Sequence, residues 1–170
     1  SKTSVDLPLN GKGVARLVTD GTLANVKTGW VKVTCPVAIT GSSIFQTRSG
    51  GRILSEAGVA SSPLAQHFAA YVGSLGSTES GLAMCNPNPF AVTLTLSLRQ
   101  STGEVAATTS FSLAVNGHLA KFFTEWFPRG FTEFEGTLEV LSTAPVSAVA
   151  LRFDNPRQNV FAALPVVPVP

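Results

Sequence analysis

The sequence predicts an all-β protein whose antiparallel strands form a sandwich or a barrel. In the clearest segments apolar and polar residues alternate with a period of two, as they do in strands with one buried face. Other apolar stretches are short and are bounded by glycine, proline or asparagine. Many short strands at even spacing with such turn residues between them are typical of sandwiches and barrels.

Residues 92–115 carry the strongest strand signal. From 92 to 99 the even-numbered positions are valine or leucine, and the odd-numbered positions are threonine, serine or arginine. This pattern indicates a half-buried antiparallel strand. Gly103 lies in the following turn, where its freedom to adopt positive φ suits a hairpin bulge. The alternation resumes over 105–115, so the segment predicts a β-hairpin.

The remaining predicted elements are shorter. One helical turn is expected over 124–130, with Thr124 as its N-cap and with Pro128 and Gly130 ending it. The other stretches predicted as strands are HFAAYV (67–72), GLAMC (81–85), GHLAKFF (117–123), GTLEVLS (136–142), VSAVALRF (146–153) and NVFAALPVV (159–167).

Composition narrows the classes of partner. Hydrophobic residues make up 44% of the 170 residues and charged residues only 13%, against roughly a quarter in typical proteins. No apolar run reaches the roughly 18 residues that a membrane helix needs, so no membrane span is predicted. The 12 lysines and arginines are scattered, which disfavours a nucleic-acid partner. A surface so poor in charge favours surroundings crowded with copies of the same protein.

The chain repeats itself. The Asn-Gly pair at 10–11 matches the pair at 116–117 with an interval of 106 residues. After a one-residue slip, Ala15 matches Ala120 and Asp20 matches Glu125 with an interval of 105, and residues 29–59 match residues 136–166 with an interval of 107. Agreement of small residues, apolar positions and turn glycines over this length predicts tandem copies of one domain. The longer interval pairs Val31 with Leu138, Val33 with Val140, Ile44 with Leu151 and Val59 with Val166.

The two copies differ in completeness. We predict a partial repeat over residues 1–62 (the first repeat) and a complete repeat over residues 63–170 (the second repeat). The first repeat lacks counterparts of the strands predicted within 67–100, and a sandwich without them has unpaired edges and an open core. A preceding segment of a larger polypeptide would fill the gap, as would strands donated by a neighbouring subunit. A third arrangement merges both copies into one larger sandwich.

Residues 81–153 resemble a known class of repeat. The carrying elements are GLA followed by NP, the Thr/Leu hairpin, NGHLAKF, GTLEV and PVSAVALRF. They resemble the Ig-like β-sandwich repeats of large secreted and surface proteins of bacteria. The resemblance covers residues 81 to about 165 well and residues 10–59 more loosely. It implies an Ig-like sandwich that serves as a stalk, fibre or matrix module, extracellular or at the cell surface, and it brings no catalytic residue.

Two cysteines, Cys35 and Cys85, have no neighbouring ligands at zinc-site spacing. Either they are two buried thiols or they form a disulfide, since both lie near predicted strand ends. In repeats of the class that the chain resembles, a small apolar residue stands at the position of Cys85 and a serine or threonine near that of Cys35. These two departures together favour a disulfide.

No residue pattern points to catalysis. His118 stands at the start of a strand where the first repeat has lysine or glycine, and His67 has no aspartate or serine near it in the sequence. Glu133 and Glu135 share a face if they lie in a strand, but a solvated loop is the favoured interpretation. No G-x-S-x-G nucleophile motif occurs. We therefore expect no enzyme, no cofactor and no metal site.

Aromatic residues crowd one short segment. Trp126, Phe127 and Phe131 either form a stacking platform for sugars or plug one end of the sandwich core, and the plug is favoured. Trp30 is expected within a strand, as an interface anchor. The sequence thus predicts a non-catalytic structural or adhesive module, a fibre or surface-array subunit completed by neighbouring strands. Its partners are other copies of itself or adjacent repeats of a larger chain. A carbohydrate-binding module with glycan partners is the alternative.

Overall fold

The computed structural model describes residues 4–19, 28–128, 130–154 and 160–170. Strands dominate these residues and every strand pairing is antiparallel, which confirms the predicted all-β class. The elements are β1 (Ser42–Ser49), β2 (Arg52–Ala60), β3 (Ala65–Leu75), β4 (Thr78–Cys85), β5 (Val92–Gln100), β6 (Val105–Leu113), β7 (His118–Phe122), α1 (Phe123–Trp126), β8 (Phe134–Asp154), β9 (Phe161–Leu164) and β10 (Val166–Pro168).

Strand β8 holds the sandwich-like part of the fold together. Its first section, residues 134–142, lies between β3 and β5, and its last section, residues 147–154, lies between β4 and β9. Strands β10 and β6 extend the first group beyond β3 and β5. Strand β7 extends the second group beyond β4. One strand of 21 residues therefore belongs to both groups, which we call the two layers of the fold.

The core is built by alternation. Leu94, Leu96 and Leu98 of β5 are fully buried, while the side chains between them are partly exposed, as the sequence predicts. Strands β3, β4 and β8 alternate in the same way. Their core side chains are Phe68, Ala70 and Val72 of β3, Leu82 and Met84 of β4, and Leu138, Val140, Val146, Ala148 and Ala150 of β8.

The turn residues of two hairpins account for their geometry. Strands β5 and β6 pair over their whole length with a bulge after Leu98, and Gly103 in their turn has φ 89°, as predicted. Strands β1 and β2 are joined by Gly50 and Gly51, with φ 55° and 77°. Two consecutive residues with positive φ match the twist of a tight hairpin.

Asn86 fastens the end of β4 to the β5–β6 layer. The residue is fully buried, and its side-chain oxygen accepts hydrogen bonds from the backbone and side-chain nitrogens of Asn88 at 3.0 and 2.8 Å. Its Nδ2 donates to the carbonyl oxygens of Phe90, Leu113 and Ala114 at 2.8, 3.2 and 3.0 Å. The Asn-Pro motif that follows β4 is therefore a structural junction.

Strand boundaries differ from the prediction at two prolines. The segments 136–142 and 146–153, predicted as separate strands, are one continuous strand. Pro145 is tolerated there because it falls where β8 passes from one layer to the other, so its missing N–H leaves no ladder bond unmade. Conversely, the single strand predicted over 159–167 is split at Pro165 into β9 and β10, which join different layers.

The predicted helical turn begins earlier than expected. Helix α1 starts at Phe123, and the carboxylate of Glu125 accepts the N–H of Phe122 at 2.7 Å. Thr124 is therefore not the cap, because its hydroxyl donates to Glu79 instead. Arg129 and Asn159, which belong to the predicted turn and strand, lie outside the described residues.

Residues 4–19 and 28–41 contain no strand or helix. Trp30 accordingly lies outside any strand, contrary to the prediction, because in the part of the chain that the structure describes no strand pairs with its segment. Both Asn-Gly pairs lie in turns, but at different positions in them. Gly13 N–H donates to Asn10 O at 2.9 Å, so the first pair begins its turn, whereas Gly117 N–H donates to Ala114 O at 2.8 Å, so the second pair ends its turn. These closing glycines are 104 positions apart, so the turns are offset by two residues from the sequence match.

Candidate interaction surface

The first repeat presents a long series of exposed apolar side chains, which we call the first-repeat surface. Aliphatic residues this exposed are ordinary when scattered singly, but runs of them mark contact sites. None of these residues lies in the core cluster of the second repeat. They are Val5, Leu7, Leu9, Val14, Leu17, Val18, Val31, Val33, Val37, Ile39, Ile44, Phe45, Ile53 and Leu54.

The first-repeat surface is held to the second repeat at a few points. Strand β2 packs beside β9, and the N–H of Phe161 donates to Ser55 Oγ at 3.2 Å. The base of the hairpin is closed by Ser61 N–H, which donates to Gly41 O at 2.9 Å. Among the described residues, β1 pairs with β2 alone. Its outer edge therefore has free backbone donors and acceptors, the usual site of strand addition.

Trp30 makes a second link between the repeats. Its indole ring is half-buried, and Nε1 donates to the carbonyl oxygen of Asn116 at 3.2 Å. Asn116 belongs to the turn before β7 and has φ 52°. The residue predicted as an interface anchor thus contacts the Asn-Gly turn of the second repeat.

The predicted aromatic residues face inward. Phe127 is buried, and Trp126 and Phe131 pack against the core. The Trp126 ring stacks on Phe111 with centroids 6.3 Å apart and planes 9° apart. Phe131 makes edge-to-face contacts with Phe127 and Phe134 at 6.1 and 5.4 Å. In this arrangement the ring faces that a sugar would cover are occupied by other aromatic rings.

A polar cluster that the sequence did not reveal lies on the outer face of β3, β8 and β5. His67 Nε2 is 2.7 Å from Glu139 Oε1, and Arg99 Nε donates to Glu139 Oε2 at 2.5 Å. The hydrogen bond from His67, followed by that from Arg99, lowers the pKa of Glu139 below its ordinary value. Only the strand register brings these residues together, so the cluster could not be predicted from neighbouring residues in the sequence.

The other ionisable residues singled out in the sequence have separate surroundings. Glu133 lies in the turn before β8, and its Oε1 accepts the N–H of Gly76 at 3.2 Å. Glu135, two residues later in β8, lies beside Tyr71; burial first and then the charge of Glu135 raise the pKa of that tyrosine. His118 begins β7, where burial lowers its pKa. Each of these ionisable groups therefore interacts with its own local surroundings, and they do not form a common site.

Cys35 and Cys85 are both half-buried free thiols. Burial raises the pKa of the Cys85 thiol, partly offset by hydrogen bonding with Ser147. The disulfide between the two cysteines stays a prediction. Intact mass before and after alkylation checks it: a disulfide leaves the native protein unlabelled until reductant is added, and labelling of both cysteines without reductant, at any rate, contradicts it. If the thiols are free, Cys85 is expected to be labelled slowly, because little thiolate forms at neutral pH.

Among the described residues, no group of three or more histidine, cysteine, aspartate or glutamate side chains is arranged to hold a metal ion. No helix in the described part of the chain has the length and apolar character to span a membrane. Comparisons with protein-family models, curated proteins and solved structures found no match to this chain.

Proposed function

We propose that this chain is a non-catalytic structural or adhesive module that acts outside the cell, as a unit of a fibre or surface array. The observation that carries the proposal is the first-repeat surface, where aliphatic side chains of residues 4–19 and 28–59 are exposed to solvent along segments with few strand pairings. A fold that leaves such residues exposed is stabilised by covering them with another chain or repeat. Each covered valine or leucine side chain is worth about 1.5–3 kcal/mol.

Two further features support the proposal. Charged residues make up only 13% of the chain, so charge repulsion opposes close association weakly. The clearest polar cluster, around Glu139, is internally paired: its carboxylate oxygens are occupied by His67 and Arg99. The ion pairs and hydrogen bonds of this cluster therefore serve to stabilise the outer face of that sheet.

Association of the purified chain tests the proposal. Light scattering coupled to size exclusion, with electron microscopy of the same fractions, is expected to show oligomers or fibrils that grow with concentration. The double variant Val31→Asp and Val33→Asp is expected to reduce association strongly, because both side chains are exposed on the first-repeat surface.

The matched control is the double variant Val105→Asp and Val167→Asp, which places the same two charges at exposed valines of the second repeat. It is expected to associate like the unaltered chain. A stable monomer at all concentrations, or equal loss of association in both variants, contradicts the proposal.

A further inference from the structure

Matched positions of the two repeats differ sharply in burial. Val31 and Val33 are 80% and 69% exposed, whereas their counterparts in β8, Leu138 and Val140, are fully buried. These positions are therefore apolar in both repeats, but only in the second repeat does a core bury them.

The same contrast holds before the matched turns and after them. Leu7 is 46% exposed and its counterpart Leu113 is 6% exposed. Val18 is 66% exposed, whereas Phe123, its counterpart at the interval of 105 that follows the turn, is fully buried. The contrast thus occurs at several positions between residues 7 and 33, whereas Val59 and its counterpart Val166 are both partly buried.

The second repeat identifies what is missing. Leu138 and Val140 lie in the part of β8 that runs between β3 and β5, and β7 pairs with β4. The counterparts of β3, β4 and β5 are the strands that the first repeat does not have. A segment with the sequence character of residues 64–109 would supply them in order, because residue 110 is the counterpart of residue 4.

The free edge of β1 points to the same segment. Leu151 of β8 pairs with Ala163 of β9 on one side and with Gly81 of β4 on the other. Its counterpart Ile44 in β1 pairs with Gly58 of β2, and among the described residues β1 has no strand on its other side. The unpaired side is the one that a counterpart of β4 would take.

We propose that the first repeat is completed by the opening half of another such repeat, placed directly before it in the polypeptide and equivalent to residues 64–109. A second copy of this chain is a poorer donor, because its own β3, β4 and β5 are already buried in its second repeat. Withdrawing them would open that core. The inference rests on the proposed function and adds to it the identity and strand order of the covering segment.

The test is a fusion in which a duplicate of residues 64–109 precedes Ser4 of the full chain. Trypsin cleavage after Arg16 and Lys32, both exposed in the chain as it stands, is the readout. If the added segment completes the first repeat, both cleavages are expected to slow by at least about ten-fold, because paired backbone must open before it is cut. Binding of an apolar fluorescent dye should fall in parallel.

The control fusion carries Leu94→Asp and Leu96→Asp in the added segment only, so the second repeat is unchanged. It is expected to be cut as fast as the original chain. At a protein concentration where the original chain is monomeric, equal cleavage rates in the two fusions overturn the inference. If the fusion is protected while the original chain never associates, the inference stands and the assembly proposal fails.

Discussion

At the scale of single residues, the stability of the second repeat depends most on Asn86. We expect Asn86→Asp to lower the free energy of unfolding by about 3 kcal/mol, because one buried and two part-buried carbonyl oxygens lose their donor while the shape of the side chain is kept. Urea denaturation measures the change. Asn10→Asp, at an exposed asparagine, is the control and should cost less than about 0.5 kcal/mol. Similar losses in both variants contradict the assigned role of Asn86.

Glu139 gives the second repeat a dependence on pH. Its pKa in the folded chain is lowered by His67 and Arg99, so it contributes stability above its unfolded pKa, and that contribution is lost as the pH falls through the lower folded pKa. In Glu139→Gln this contribution is absent, and the acid loss of stability should be smaller by up to about 1 kcal/mol, since the pair is partly solvated. Thermal unfolding between pH 7 and pH 3 checks this. Identical pH profiles contradict it.

At the scale of elements, α1 and its aromatic neighbours close one end of the core. Trp126→Ala is expected to cost about 2–4 kcal/mol of stability, because Trp126 stacks on Phe111 and packs against the core. Phe90→Ala, at an exposed phenylalanine, is the control and should cost under about 1 kcal/mol. Glycan binding that disappears in a Trp126 variant of unchanged stability would favour the carbohydrate-binding alternative instead.

Elements that depend on neighbouring residues were predictable from the sequence, and elements that depend on distant pairing were not. The β5–β6 hairpin follows from its own alternation and from Gly103. The continuity of β8 does not, because Pro145 is acceptable only where the strand changes layers. The contact of His67 with Glu139 likewise depends on register between strands 72 residues apart in the sequence.

At the scale of the whole molecule, the two repeats should differ in local stability. In native-state hydrogen exchange we expect amides of β3, β5 and β8 to exchange at least about 100-fold more slowly than those of residues 4–19 and 28–41, which have no strand partners. Mass spectrometry of peptic fragments measures this at low protein concentration. Comparable protection in both regions would contradict the incompleteness of the first repeat.

The tandem repeat stays a prediction from the sequence, and the burial of its apolar positions could not be predicted in the same way. Apolar positions such as Val31 and Val33 predict burial by their pattern, and a pattern carries no information on whether the covering strands are present. The two-residue offset between the turns that end at Gly13 and Gly117 could not be predicted either. By residue type alone, Gly117 matches Gly11 as well as it matches Gly13.

The span of β8 across both layers has a consequence for synthesis. Strands β3 and β5 cannot pair fully with β8 until residue 142 has been made, and β4 cannot do so until residue 154 has been made. At 5–20 residues per second, each of β3 and β4 is available to other chain segments for about 3–14 seconds after its own synthesis. Residues 4–59, which lack such strands, are already made by then. During translation the first repeat and β8 can therefore compete for β3, β4 and β5. The first repeat is available for pairing before β8 is.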